Sequence, residues 1–274
     1  MTNRFIAPCA EHYGCSQRAL SLYSKNGHNL EFLHCDDCGL IWKDSLKCPD
    51  DRTYDAAYFA KQGYKERKAH RIRKSHLLFE IIEASIPQPG TMLEIGPGMG
   101  EAMECARQRG WQVQGLDISD FAIAECAKDG FDVKKGSLEG HSLDQKYDLL
   151  FMKHVLEHYR DPFKALKEAG KLLNDGGLLF TVVPDARYPQ AEKLRNEHRF
   201  YRYEDNGVEH HVYFNAETLR RALMHSGFDI VQEGMPAFIG KGDSAISFFN
   251  RNIRNIIPIF GKNREVMMLG RKRD

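Results

Sequence analysis

The chain has 274 residues, enough for one large domain or for one domain and a small module. Its 39 basic and 38 acidic residues leave a formal charge of +1, which excludes a global electrostatic pull toward nucleic acid and confines any polyanion to a local patch. No run approaches the roughly 18 apolar residues of a membrane span, MTNRFIAPCA has no apolar signal core, and seven cysteines suit a reducing compartment, so a soluble, cytoplasmic protein is expected.

Residues 1–50 hold two cysteine groups, Cys9 with Cys15 and Cys35 with Cys38. The second group has the two-residue spacing that turns both thiolates onto one metal, and Gly39 relieves the backbone behind it. In the first group His12 stands between the thiols, so either Cys15 or His12 completes the set. The stretch ALSLYSKNGHNLEFLHC reads as two strands around Asn26-Gly27, a hairpin that brings the groups together. A zinc-ribbon-like module with a structural zinc is expected, because so short a segment cannot bury enough apolar surface to fold alone.

Residues 51–86 read as a connecting helical segment. Aromatics at Tyr54, Tyr58, Phe59 and Tyr64 precede the cationic run KERKAHRIRKSH, and Leu77, Leu78, Phe79, Ile81 and Ile82 pack on the main domain. The cations are expected to be a solvated face, and Pro87 and Pro89 end the helix.

Residues 87–274 alternate strand and helix. MLEIG, VQGLDIS, DVKKGS, YDLLFMKH and LLFTVVP read as strands; EAMECARQRG, AIAECAKDG and DPFKALKEAGKLLNDGG read as helices between them. FNAETLRRALMHSGF is a further helix capped by Asn215, followed by the strands DIVQEG and EVMMLGRKR around an insertion at about 237–262. The pattern implies an α/β, Rossmann-like fold with a parallel sheet, helices on both faces and ligands at the carboxyl ends of the strands. Gly100, Asp117, Ser137, His154 and Pro184 fall at those ends.

The most informative residues are LEIGPGMG, Leu93 to Gly100. A dinucleotide fingerprint would need its third glycine at position 101, where Glu101 would repel a pyrophosphate. A cofactor without phosphates fits better, and S-adenosylmethionine (SAM) is one. Asp117 is placed to accept both ribose hydroxyls.

The stretch resembles motif I and the acidic post-motif of class I SAM-dependent methyltransferases, whose fold is a mostly parallel seven-stranded sheet. That resemblance implies that Glu94 and Gly96 lie along the methionine part of the cofactor and that Gly98 lets the backbone approach it. Gly100, Asp117, Ile118, Ser137 and His154 complete the expected contacts, His154 because the first position after the fourth strand lies beside the cofactor in many such enzymes.

The element Glu209-His210-x-x-x-Phe214 resembles the Glu-His-x-x-x-Phe segment after the fifth strand of the same broad group. Its histidine is the proposed base in related sugar methyltransferases that also carry a four-cysteine zinc site, although this chain has Gly207 where those enzymes place a tyrosine. By that likeness His210 is the leading base, Glu209 its orienting partner and His154 a further catalytic candidate. His158 and His211 are the other histidines within reach of such a role.

The expected function is therefore methyl transfer to a hydroxyl of a sugar, glycan or other small metabolite. RNA methylation and a non-catalytic scaffold stand as alternatives. No membrane partner is expected, the neutral charge argues against nucleic acid, and a homo-oligomer stays open.

Overall fold

A computed structural model of the chain describes residues 9, 17–25, 28–35, 37–43, 54–61, 68–86, 88–141, 143–185, 210–234 and 265–273. The strands β1 (Gln17–Lys25) and β2 (His28–Cys35) pair antiparallel, with Lys25 opposite His28, as the Asn26-Gly27 signal requires. β3 (Ile41–Lys43) extends this sheet. Two helices, α1 (Ala56–Lys61) and α2 (Lys68–Glu83), occupy the segment expected to connect the modules.

The alternating pattern then appears as expected. β4 (Thr91–Ile95), α3 (Glu101–Gln108), β5 (Gln112–Asp117), α4 (Asp120–Lys128), β6 (Val133–Lys135) and β7 (Tyr147–Lys153) lead to a short 3-10 turn, Leu156–His158. α5 (Pro162–Leu172), β8 (Leu173–Pro184), β9 (Val212–Tyr213), α6 (Ala216–His225), β10 (Phe228–Gly234) and β11 (Glu265–Lys272) follow. Local chemistry sets the helix starts. Ser119 and Asp161 accept backbone N–H groups of α4 and α5, Pro162 occupies the first turn of α5, and Asn215 with Thr218 forms a capping box on α6.

One boundary differs from the expectation. The Asn174-Asp175-Gly176-Gly177 segment, read as the exit of a helix, belongs to β8. Leu173 is already extended and fully buried, opposite Tyr147. A Cβ at Gly177 would stand 2.9 Å from the Asn174 carbonyl oxygen and 3.2 Å from that of Tyr147, so the glycine admits a close backbone approach rather than ending a helix.

The seven-stranded sheet has the order β10-β11-β8-β7-β4-β5-β6. β8, β7, β4, β5 and β6 pair in parallel, whereas β11 is antiparallel to both β8 and β10. The chain leaves β4 toward β5 and β6, then returns on the other side of β4 as β7. This reversal opens a crevice at the carboxyl ends of β4 and β7.

Both sheet faces are buried, which explains the continuous apolar runs. On one face Phe151 stacks on Phe79 of α2 (5.7 Å between centroids) and on Phe180 of β8 (5.0 Å). Phe151→Ala is expected to cost about 3–5 kcal/mol, measured by denaturant unfolding. A loss below about 1 kcal/mol, a volume-conserving-swap scale, would contradict this packing account.

The N-terminal sheet is joined to the same core. β3 pairs antiparallel with β9 through Ile41↔Tyr213 and Trp42↔Val212, and Cys9, Cys35, Leu40 and Trp42 share one apolar cluster with Val212 and Phe214. Among the described residues no helix is long and apolar enough to cross a membrane.

Candidate active site

The crevice opens into a cavity of about 1250 Å³, large enough for a nucleoside cofactor and a second molecule. Its wall includes Glu94, Gly96, Asp117, Ile118, Ser137 and His154, six of the expected cofactor residues, together with His158 and His210. Gly98 and Gly100 stand behind this wall. The Gly98 N–H donates to Asp117, and Gly100 opens α3 in a left-handed conformation.

Asp117 ends β5 and is nearly buried. Its Oδ1 accepts the Ser119 N–H at 2.8 Å and its Oδ2 the Gly98 N–H at 3.4 Å, which aims the carboxylate at the cavity. Burial raises its pKa, while these backbone donors act in the opposite sense. Ile118 beside it is 55% exposed, an uncovered apolar surface on the cavity wall.

Gly96 must be glycine on two counts. Its φ is +65°, and a Cβ there would stand 2.8 Å from Val155 Cγ2. The turn after β4 can therefore pass directly against the segment after β7.

Glu94 is buried, and its Oε2 has no hydrogen-bond partner among the described residues. Burial, reinforced by the Glu101 carboxyl, holds its pKa well above the ordinary value. SAM fits these residues: its cationic methionine end would compensate Glu94, its ribose diol would donate to Asp117, and its adenine would cover Ile118.

His154 is the one non-glycine residue with positive φ (56°) among the described residues. Its Nε2 lies 2.7 Å from Glu265 and its Nδ1 3.4 Å from Glu157. Packing alone would lower its pKa, but contacts with Glu157 and Glu265 outweigh it and raise it to about 9. Burial opposes ionisation of both acids, yet His154, helped by His158 and His210 at Glu157 and by Lys153 and Lys74 at Glu265, brings each to about 2.

His210 precedes β9 and faces the cavity, with Nε2 4.0 Å from Glu157 Oε1. The His211 N–H donates to the Glu157 carbonyl at 2.8 Å, tying the start of β9 to the 3-10 turn. His211 itself is buried away from the cavity wall. Glu209 lies outside the described residues.

Cys9, Cys35 and Cys38 converge, with sulfurs within 4.8 Å of one another. Cys9 and Cys35 are fully buried, and the Cys38 N–H points at Cys35 Sγ (3.2 Å). This donor set fits a tetrahedral thiolate-bound zinc. Cys15 and His12, the alternative fourth ligands, lie outside the described residues.

Several cavity residues had no functional reading in the sequence. Tyr54, Tyr58 and Phe59, taken as part of a connection, line the wall, as do Lys74, Lys153 and Glu265. Arg71, read as a solvated cation, also lines it and approaches Glu101 at 3.8 Å. A run of aromatics ahead of the glycine motif was the one available signal. Glu265 had none, since it meets His154 across 111 residues.

Comparison with known proteins agrees with this geometry. The profile of the methyltransferase domain family matches residues 64–233. An uncharacterized methyltransferase of Staphylococcus carnosus (strain TM300) is 29% identical over 179 residues, covering 61% of this chain and 84% of that protein. A ubiquinone biosynthesis O-methyltransferase of Nitrosomonas europaea is 29% identical over 99 residues, 33% of this chain and 42% of that enzyme. Among solved structures, the plantazolicin methyltransferase BamL, in complex with a triazolic desmethylPZN analog and SAH, superposes with a TM-score of 0.58 at 16% identity, covering 81% of this chain and 92% of that one. At that identity the likeness speaks for the fold alone. The match over residues 64–233, more than half of the chain, shows that the chain belongs to the methyltransferase domain family and is a SAM-dependent methyltransferase.

Proposed function

We propose that the enzyme methylates a hydroxyl of a sugar, glycan or other small metabolite, with His210 as the general base. The observation that carries this reading is that Asp117 and His210 line one cavity with room for two molecules. Bound SAM supplies an electrophilic methyl on a sulfonium. Asp117 would hold the ribose, Glu94 would meet the methionine end, and Gly96, Gly98 and Gly100 would shape the turn between them, with Ile118 and Ser137 beside the nucleoside. His210 takes the hydroxyl proton as the acceptor oxygen is methylated, and the buried Glu157 charge stabilises the resulting imidazolium. Glu209 is proposed to orient the same ring. His154 has both ring nitrogens committed to carboxylates, so its role is to sit beside the cofactor as a fixed cation rather than to move a proton. The ubiquinone O-methyltransferase relative supports a hydroxyl acceptor.

Incubating the protein with methyl-labelled SAM and a panel of sugars, glycans and catechols tests the reading. Label in a new O-methyl ether is expected; label found solely as N-methyl on amines would overturn it.

Cys9, Cys35 and Cys38, with Cys15 or His12, are proposed to hold a structural zinc that keeps β3 against β9 and so fixes the approach to His210. Cobalt substitution is expected to give intense thiolate-to-metal absorption that Cys38→Ser weakens, with a lower Tm for the variant. An unchanged cobalt spectrum in the variant would remove Cys38 from the ligand set.

A further inference from the structure

A second group of metal-ligating side chains stands apart from the thiols. One ligand atom each of Glu157, His158 and His210 lies within 4.8 Å of the other two. Glu157 and His158 come from the 3-10 turn after β7, and His210 from two residues ahead of β9; the His211–Glu157 backbone hydrogen bond holds these two segments together. His158 and His210 also meet edge to face, 4.8 Å between ring centroids.

Glu157 supplies an independent observation. It is 1% exposed, and neither carboxylate oxygen has a hydrogen-bond partner among the described residues. His154 Nδ1 lies 3.4 Å from its Oε1 and His210 Nε2 4.0 Å, the second too long for a hydrogen bond. The His154 imidazolium meets its charge, but both oxygens keep lone pairs with no hydrogen-bond donor among the described residues, a state that buried carboxylates rarely keep. A cation between Glu157 and the two imidazoles would take the carboxylate's lone pairs and one nitrogen from each ring. Ligand atoms around a tetrahedral ion with bonds of about 2.0–2.1 Å lie roughly 3.3–3.5 Å apart, so small side-chain rotations close the site.

We propose that Glu157, His158 and His210 bind a divalent transition-metal ion at the cavity wall, with its remaining coordination positions open to the acceptor. Two imidazoles and one carboxylate suit manganese, iron, cobalt or zinc and leave room for substrate oxygens. The acceptor class this favours carries two adjacent oxygens, a catechol or a vicinal diol, which can chelate the ion. A hydroxyl bound there loses its proton to water near neutral pH. Its oxygen pair then forms the new O–CH3 bond while the S–CH3 bond breaks, its electrons remaining on sulfur. The acceptor chemistry rests on the proposed hydroxyl methylation, whereas the metal site stands on the side-chain cluster alone. With the ion bound, His210 acts as a ligand; without it, His210 accepts the proton itself.

The test is a titration of the purified full-length protein with Mn2+ followed by electron paramagnetic resonance, with SAM binding measured on the same samples. Hard Mn2+ does not compete for the thiolates. Loss of the free-ion signal on binding is expected. His158→Ala should weaken this binding by at least roughly 10- to 100-fold, the scale on which even outer-shell ligand partners act, while SAM still binds. Mn2+ should also raise methyl transfer to a catechol more than to a monohydroxy analogue. Absence of Mn2+ binding by a wild-type protein that binds SAM, or equal binding by His158→Ala, overturns the site and leaves the hydroxyl reading standing. Mn2+ binding lost in His158→Ala, with SAM bound but methyl transferred solely to amines, upholds the metal site and overturns the hydroxyl reading.

Discussion

Asp117→Ala is expected to weaken SAM binding by about 100-fold or more while the protein stays folded. The carboxylate ends β5 with its two oxygens steered by the Ser119 and Gly98 amides, so it meets a ribose already oriented. Two hydrogen bonds to an ionised acceptor are worth about 1.5–3 kcal/mol each, and about 1.4 kcal/mol is tenfold in affinity. Asp117→Asn keeps one acceptor oxygen and should fall between the variant and the wild type. Calorimetric titration reads both values. A loss of less than about threefold in Asp117→Ala, under 1 kcal/mol on that scale, would mean that the ribose lies elsewhere.

His210→Ala is expected to lower kcat by about 100- to 10,000-fold, the range for loss of a positioned acid–base group, with SAM affinity unchanged. The two variants thus separate binding from chemistry within one cavity. His210 stands two residues ahead of β9, whereas Asp117 stands at the end of β5, so neither substitution disturbs the other's element. Pre-steady-state kinetics isolate the transfer step from product release. A kcat within about threefold of wild type, well short of that acid–base range, would remove His210 from the chemistry.

The parallel sheet was legible because strands buried on both faces must be apolar throughout, and Phe151, Phe180 and their neighbours are. The start of α6 was legible from Asn215, whose side chain has few other local uses. The NDGG segment misled because paired glycines mark a helix exit and a close strand approach equally well. Asp117 and Gly96 were readable from spacing, since one turn fixes both. The pairing of β3 with β9 was not, because two bridging pairs leave no periodic signal. The clamp on His154 was equally hidden. Glu157 lies three residues away, but Glu265 arrives on the last strand, and only the folded sheet order brings it there.

The most direct test of the central claim is calorimetric titration of the purified wild-type chain with SAM, with NADH as the comparison ligand. Saturable binding of SAM without binding of NADH is the expected result, because Glu101 stands where a dinucleotide's pyrophosphate would have to sit and Asp117 remains to hold a ribose. A folded protein that binds NADH, or that gives no heat with SAM, would contradict the account.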